Sequence, residues 1–196
     1  MNHEHKFPLI TGQISLDLVN TEVVRHGTRY DLLASTEDVI AWVVTLQEQN
    51  TLYARQFSAN VNEWADEALP LLKEVRLFLR QGYEQMANDQ TLADNWVNHL
   101  EFLIKKAPFS YHIVDGALLP VPNGNSVDSL VALIAFNAIN LFVTNELTNI
   151  HRCANPDCVL LFMDKKGRRK WCSMKICGNR NKVTRHQRRK EKGQQK

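Results

Sequence analysis

No cysteine occurs in the first 152 residues of this 196-residue chain, and all four fall between positions 153 and 177. A disulfide framework running through the body is thereby excluded. The N-terminal Met-Asn-His-Glu-His-Lys-Phe-Pro lacks the basic start and the apolar run of about 7 to 15 residues that mark a secretory signal. Reduced thiols and a cytoplasmic location are therefore expected. The longest apolar stretch, Leu130 to Val143, is interrupted by Asn137 and Asn140 and is too short to span a bilayer, so no membrane partner is expected. Internal repeats, extended low-complexity segments and a heptad seam are missing as well. So are Gly-x-Ser-x-Gly, His-Glu-x-x-His, a phosphate-cradling glycine loop and a dinucleotide fingerprint. The seven histidines are scattered, without the carboxylate or cysteine neighbours that catalysis would need, and we expect no enzyme.

The cysteines present have the spacing Cys153-x4-Cys158-x13-Cys172-x4-Cys177. Two pairs, each closing a short knuckle and joined by a loop long enough to fold back, can bring four sulfurs to the corners of one tetrahedron. That is the arrangement of a closed, structural zinc site with no open position for substrate. The alternatives are two disulfides, which a reducing compartment disfavours, or four unrelated buried thiols. One structural Zn2+ per chain is the expectation, on Cys153, Cys158, Cys172 and Cys177.

The modest net charge of +3 conceals a polarity. Residues 151–196 hold 15 Lys or Arg against 3 acidic residues, whereas residues 1–150 hold 9 against 18. An acidic body thus carries a strongly basic, cysteine-bearing tail, and we expect a division into residues 1–150 and 151–196.

The body reads as mostly helical. Ser35 and Asp38 form a capping pair ahead of Val39, Trp42, Val43 and Leu46, which share one helical face. A second helical region is expected over about 61–86, broken or kinked at Pro70, and a third over about 92–105. The widest apolar face follows Ser126, where Leu130, Val131, Ile134, Ala138, Leu141 and Phe142 lead toward the first cysteine knuckle. Between these lies a hairpin, Phe109 to Val114 and Ala117 to Val121, because Asp115-Gly116 suits a tight type I′ turn. If residues 15–26 are helical, Asn20 falls among core positions and must be hydrogen-bonded. It serves either as a tertiary structural bond or, with Arg25, as part of a small-molecule effector pocket.

In the tail, Ser173 can cap a helix running through Cys177 toward Lys190. Lys182, Arg185, Arg189 and Lys192 recur on it at helical spacing, with Arg188 and Lys190 beside them. A second basic run, Lys165, Lys166, Arg168, Arg169 and Lys170, fills the loop between the cysteine pairs. Guanidinium forks grip phosphate or a guanine edge at two points, so this concentration is the footprint of a nucleic-acid partner. Arg180 and Asn179, adjacent to a metal ligand, can instead order the knuckle. Trp171 reads as knuckle core before it reads as a stacking platform.

Residues Cys177-Gly-Asn-Arg180, with Phe162, Asp164, Arg169, Trp171, Cys172, Ser173, Met174 and Lys182, resemble the CGNR zinc-finger family. Lys165-Lys166 departs from it, since a serine commonly follows the aspartate. Leu16-Asp-Leu-Val-Asn-Thr21 resembles the signature of the ABATE domain that usually precedes such fingers, with Leu18 where phenylalanine is usual; Glu37 to Trp42 and Leu72 to Arg76 are similar in placement. The resemblance implies a bacterial, stress-linked transcription regulator with a metal-stabilised DNA-binding tail.

The expected architecture is therefore mostly α: a helical N-terminal domain with a small β-hairpin, then a treble-clef-like four-cysteine zinc finger. Double-stranded DNA is the favoured partner, and a homodimer would match paired half-sites. An RNA-binding or ribosome-associated protein, or a protein-interaction adaptor, are the other readings of the same basic finger.

Overall fold

The computed structural model describes residues 6–114 and 116–179. Its centre is the helix α5 (Ser126–Val143), whose Leu130, Ile134, Ala135 and Ala138 have no exposed surface. Asn125 begins it, its side-chain oxygen accepting the Asp128 amide at 2.8 Å. Its mean hydropathy of 1.8 over 18 residues would suit a membrane, yet 61% of it is buried inside the protein. This is a core helix. Around it pack α1 (Ile14–Val19), α3 (Ala65–Met86) and α4 (Trp96–Lys106), with α2 (Thr36–Glu48) against α3. Gly82 of α3 lets the Trp96 side chain of α4 lie close, for a Cβ there would lie 2.3 Å from the indole nitrogen.

The start of α2 follows the sequence closely. Asp38 accepts the backbone amides of Ala34 (2.8 Å) and Ser35 (3.1 Å), completing its half of the expected capping pair. The second helical region divides into a single 3-10 turn (Val61–Glu63) and α3, and Pro70 does not break α3. Pro70 lies near the helix start on the exposed side, so the carbonyl it leaves unpaired can turn to water. The third helix begins at Trp96, four residues later than the apolar spacing suggested.

The expected hairpin is present as β3 (Phe109–Val114) and β4 (Ala117–Pro122), with Val114 opposite Ala117 and Gly116 at φ +77°. It rests on the helices through Phe109 against Phe136 and a bond from Gln56 Nε2 to the Pro120 carbonyl at 2.9 Å. A second hairpin replaces the helix expected over 15–26. After α1 the chain turns at Asn20 into β1 (Glu22–Arg25) and β2 (Thr28–Asp31), with Arg25 opposite Thr28. His26 and Gly27 both take positive φ, at 51° and 78°, as a type I′ turn requires. The β-branched Val23 and Val24 favour this strand over a continued helix.

Polar groups lock α1 into the core. Tyr83 donates to Ser15 Oγ (2.7 Å), and Ser15 donates through both its hydroxyl (2.6 Å) and its amide (3.1 Å) to Asn137 Oδ1. Asp17, 2% exposed, accepts the amide and hydroxyl of Thr11 at 3.2 and 2.8 Å.

Burial raises the Asp17 carboxyl to about 6, although the Thr11 bonds pull in the other direction. Its pKa in the fold exceeds the ordinary 3.8, so the stability linked to its protonation is full below that value and is lost as pH rises through about 6. Asp17→Asn, which keeps an acceptor for Thr11, should raise stability by about 1–3 kcal/mol at slightly alkaline pH. It should also flatten the pH profile of the denaturation midpoint between these pKa values. A profile identical to that of the parent chain would contradict this assignment.

Candidate metal centre and its junction with the body

The finger starts from a small antiparallel pair, β5 (Ile150–Arg152) and β6 (Leu161–Met163), in which His151 faces Phe162. The first knuckle bridges these strands. Its turn is closed by the Cys158 amide on the Asn155 carbonyl (2.9 Å) and the Cys153 amide on the Leu160 carbonyl (3.3 Å). The second pair lies where the chain returns: Cys172 ends a loop, and Cys177 sits in a single π-helical turn, Met174–Gly178. Ser173 caps that turn as expected, its hydroxyl accepting the Ile176 amide at 3.0 Å. The two knuckles are tied by the Ala154 amide on the Lys170 carbonyl (2.8 Å) and the Cys172 amide on Cys153 Sγ (3.4 Å). Asn155 adds a bond to Cys177 Sγ at 3.6 Å. Trp171 is half-buried and packs on this core.

All four sulfurs lie within 4.8 Å of one another, and Cys158 and Cys172 are 3.9 Å apart. Four thiolates around zinc at about 2.3 Å would form a tetrahedron with edges of about 3.8 Å. The donor set and its spacing fit that ion. Hydrogen bonds from the Cys158 and Cys172 thiols hold Cys153 down to about 2, and sharing with Cys153 pushes Cys158 up to about 12 and Cys172 higher. A negative charge on one of these three sulfurs disfavours charge on its neighbours; a dication at their centre would offset that repulsion.

This finger is fastened to the body by buried polar contacts. Asn20, with no exposed surface, donates to the Leu161 carbonyl (2.9 Å) and accepts the Leu161 amide (3.0 Å). Of the two readings of Asn20, the structure takes the tertiary bond. Arg25 is exposed beside its hairpin turn, and the expected Asn20–Arg25 pocket gives way because the Asn20 amide is engaged by β6. Arg80, 5% exposed, donates to the carbonyls of Val19 (2.6 Å) and Val159 (3.1 Å), and so touches body and finger at once. Its charge is met by Glu22 (2.8 Å) and Glu84 (3.4 Å), and Glu84 also holds Arg152 of β5 at 2.8 Å. One turn earlier, Arg76 grips both oxygens of Asp31 (2.6 and 2.7 Å) and the Thr21 hydroxyl (2.9 Å). The apolar core likewise runs without interruption into Leu160, Leu161 and the fully buried Phe162.

Sequence reasoning missed Arg80 and Asn155. For Arg80 a signal existed: Arg76 and Arg80 sit four apart on the face that also carries Leu72, Val75 and Leu79, where an arginine must find buried acceptors.

Asp164 organises the basic loop. Its carboxylate accepts the Lys166 (3.1 Å) and Arg169 (2.5 Å) amides, which hold it below the usual carboxylate range. Arg169 was expected to face nucleic acid, but its guanidinium folds back over the Phe162 ring, 4.7 Å from the centroid, and donates to the carbonyls of Met163 (3.1 Å) and Cys172. Lys165 pairs with Glu146 at 2.5 Å. Lys166, Arg168 and Lys170 are exposed, with no ion-pair partner among the described residues. Asn179 is exposed too; Arg180, Lys182, Arg185, Arg188, Arg189, Lys190 and Lys192 lie outside the described residues.

Removing the Asn20 amide leaves the Leu161 N–H and C=O buried without partners, at about 1–3 kcal/mol each. Asn20→Ala should therefore lower the unfolding free energy of the zinc-loaded chain by about 2–4 kcal/mol, whereas Arg25→Ala should change it by less than about 0.5. Denaturant titration of both variants measures this. Equal effects would remove the clamp from the account.

Two family models match the chain. Residues 12–145 match ABATE, described as "Putative stress-induced transcription regulator", and residues 149–190 match the CGNR zinc finger. Neither is an enzyme family. No curated protein matches the chain. The matched segments meet at the Asn20–Leu161 junction and contain the four-sulfur cluster, which accords with one structural zinc ion. The chain belongs to the ABATE family and carries a CGNR zinc finger at the C-terminal side of that domain.

Proposed function

We propose that this chain regulates transcription by binding double-stranded DNA through its finger, with Cys153, Cys158, Cys172 and Cys177 as the thiolate ligands of the zinc ion. The observation that carries the reading is the fixed basic loop. Asp164 and Arg169 together pin the backbone of residues 164–172, so Lys166, Arg168 and Lys170 branch from one ordered turn. With the loop backbone already ordered, phosphate binding has chiefly the side-chain freedom of these cations to restrict. The sequence adds Arg180, Lys182, Arg185, Arg188, Arg189, Lys190 and Lys192 after Cys177, a second source of positive charge.

The ABATE body acts in this reading as the regulatory partner. Its buried grip on β6 gives a change in the body a direct path to the finger. A coupling of about 1–3 kcal/mol between the two would alter DNA affinity from several-fold to about a hundredfold.

Binding to a duplex should weaken with salt along a log–log slope of about −4 to −5, as expected for about 4 to 6 neutralised phosphates. Replacing Lys166, Arg168 and Lys170 together by Glu should flatten that slope by about 2 to 3 and weaken binding, with zinc content unchanged. Competition between duplex DNA, structured RNA and heparin at fixed salt checks the partner. Preference for RNA, or a slope unchanged by the triple variant, would contradict the proposal.

A further inference from the structure

We infer that the body holds a binding site for a small uncharged ligand, distinct from Asn20 and Arg25, whose occupancy is felt at the junction with the finger. A largely open pocket of about 360 Å³ lies between the β3–β4 hairpin, α5, the turn after α2 and the residues leading into α1. That volume falls within the range of small-molecule sites. Leu52, Leu119, Leu133 and Phe136 supply apolar walls, and none of the eleven lining residues carries a charge. An ionic ligand would shed part of its hydration there and find no counter-charge among the lining residues, so the site favours a neutral ligand.

The polar groups define the other half of the ligand. Asn137 Oδ1 already accepts two bonds from Ser15, and its Nδ2 donates once, to Gln13 Oε1 at 2.7 Å. One Asn137 N–H is left over. Gln56 is in the same position: its Oε1 accepts the Tyr53 amide (2.8 Å) and its Nε2 donates once, to the Pro120 carbonyl. Two lining amides that are fixed in place and retain a donor each call for a carbonyl, ether or hydroxyl oxygen on an otherwise apolar molecule. A neutral aromatic amide or alcohol has this chemistry.

The link to the finger is α1. Gly12 and Ile14, at the start of α1, line the pocket, and Asn20, the C-terminal cap of α1, grips Leu161 at the other end. The helix is six residues long and buried throughout, and Ser15 ties it to the Asn137 amide that lines the cavity. A ligand bonded to Asn137 restrains α1 directly. Its use as an effector rests on the regulatory reading above, but binding itself is measured without nucleic acid.

Benzamide and benzyl alcohol, with benzoate and benzylammonium as charged counterparts, can be titrated into the intact zinc-loaded chain by NMR. The expected result is saturable binding of the neutral pair at least tenfold tighter than the charged pair, abolished by Leu119→Trp and by Thr51→Trp, which fill the cavity from different walls. Slower hydrogen exchange of the Leu161 amide should accompany saturation. Equal binding of neutral and charged probes, no saturable binding, or binding unaffected by both filling variants would overturn the site. Saturation with an unchanged Leu161 exchange rate would overturn its connection to the finger. Loss of DNA binding with the probe titration intact would instead count against the nucleic-acid reading alone.

Discussion

The architecture depends on how β6 is held along the edge that β5 does not cover. A three-residue strand with a single partner leaves backbone groups in the interior that require bonds, and Asn20 supplies one donor and one acceptor to Leu161 as a further strand would. This explains why the turn after α1 is at residue 20. The helix must end where its cap can reach across to β6, and the chain then leaves as the β1–β2 hairpin. The ABATE signature is thus read as structure: Asp17 orders the approach to α1, Asn20 binds the finger, and Thr21 receives Arg76.

Charge reinforces the same junction. The body carries an acidic excess in sequence, and several of its carboxylates face arginines. Asp31 holds Arg76, Glu22 holds Arg80, and Glu84 holds Arg80 and Arg152. For the buried Arg76 and Arg80, pairing contributes little net stability because desolvation opposes the attraction, but removing the carboxylate strands the guanidinium. Their effect is geometric: Arg80 can reach Val19 and Val159 together only in one relative placement of body and finger. The zinc site and the body therefore constrain each other, and a basic loop pinned by Asp164 is presented from a surface with a defined orientation.

Much of this was legible in the residues. The cysteine spacing, the Ser35–Asp38 pair, the Asp115-Gly116 turn and the long apolar face of α5 are local signals, each read within a few residues. The two-part division was expected from composition; the structure adds that the apolar core crosses it through Leu160, Leu161 and Phe162. The β1–β2 hairpin was missed because its turn is His26-Gly27, where the first position carries neither asparagine nor aspartate. Arg169 looked like one more cation in a basic run, since nothing local shows that Phe162 lies beneath it. Arg80 and Asn155 were missed for a related reason: their partners are fixed by the tertiary fold, at separations of up to 79 residues for Arg80 and 22 for Asn155.

The central claim is that finger and body fold as one cooperative unit through the Asn20 and Arg80 contacts. The most direct test is equilibrium unfolding of the zinc-loaded chain, with Trp171 replaced by Phe, followed by two signals in the same denaturant series. Fluorescence of Trp42, Trp64 and Trp96, all buried in the body, reports one; zinc released to a chromogenic chelator reports the other. The account predicts coincident transitions with one midpoint. Zinc release at clearly lower denaturant, with the body fluorescence still native, would contradict it.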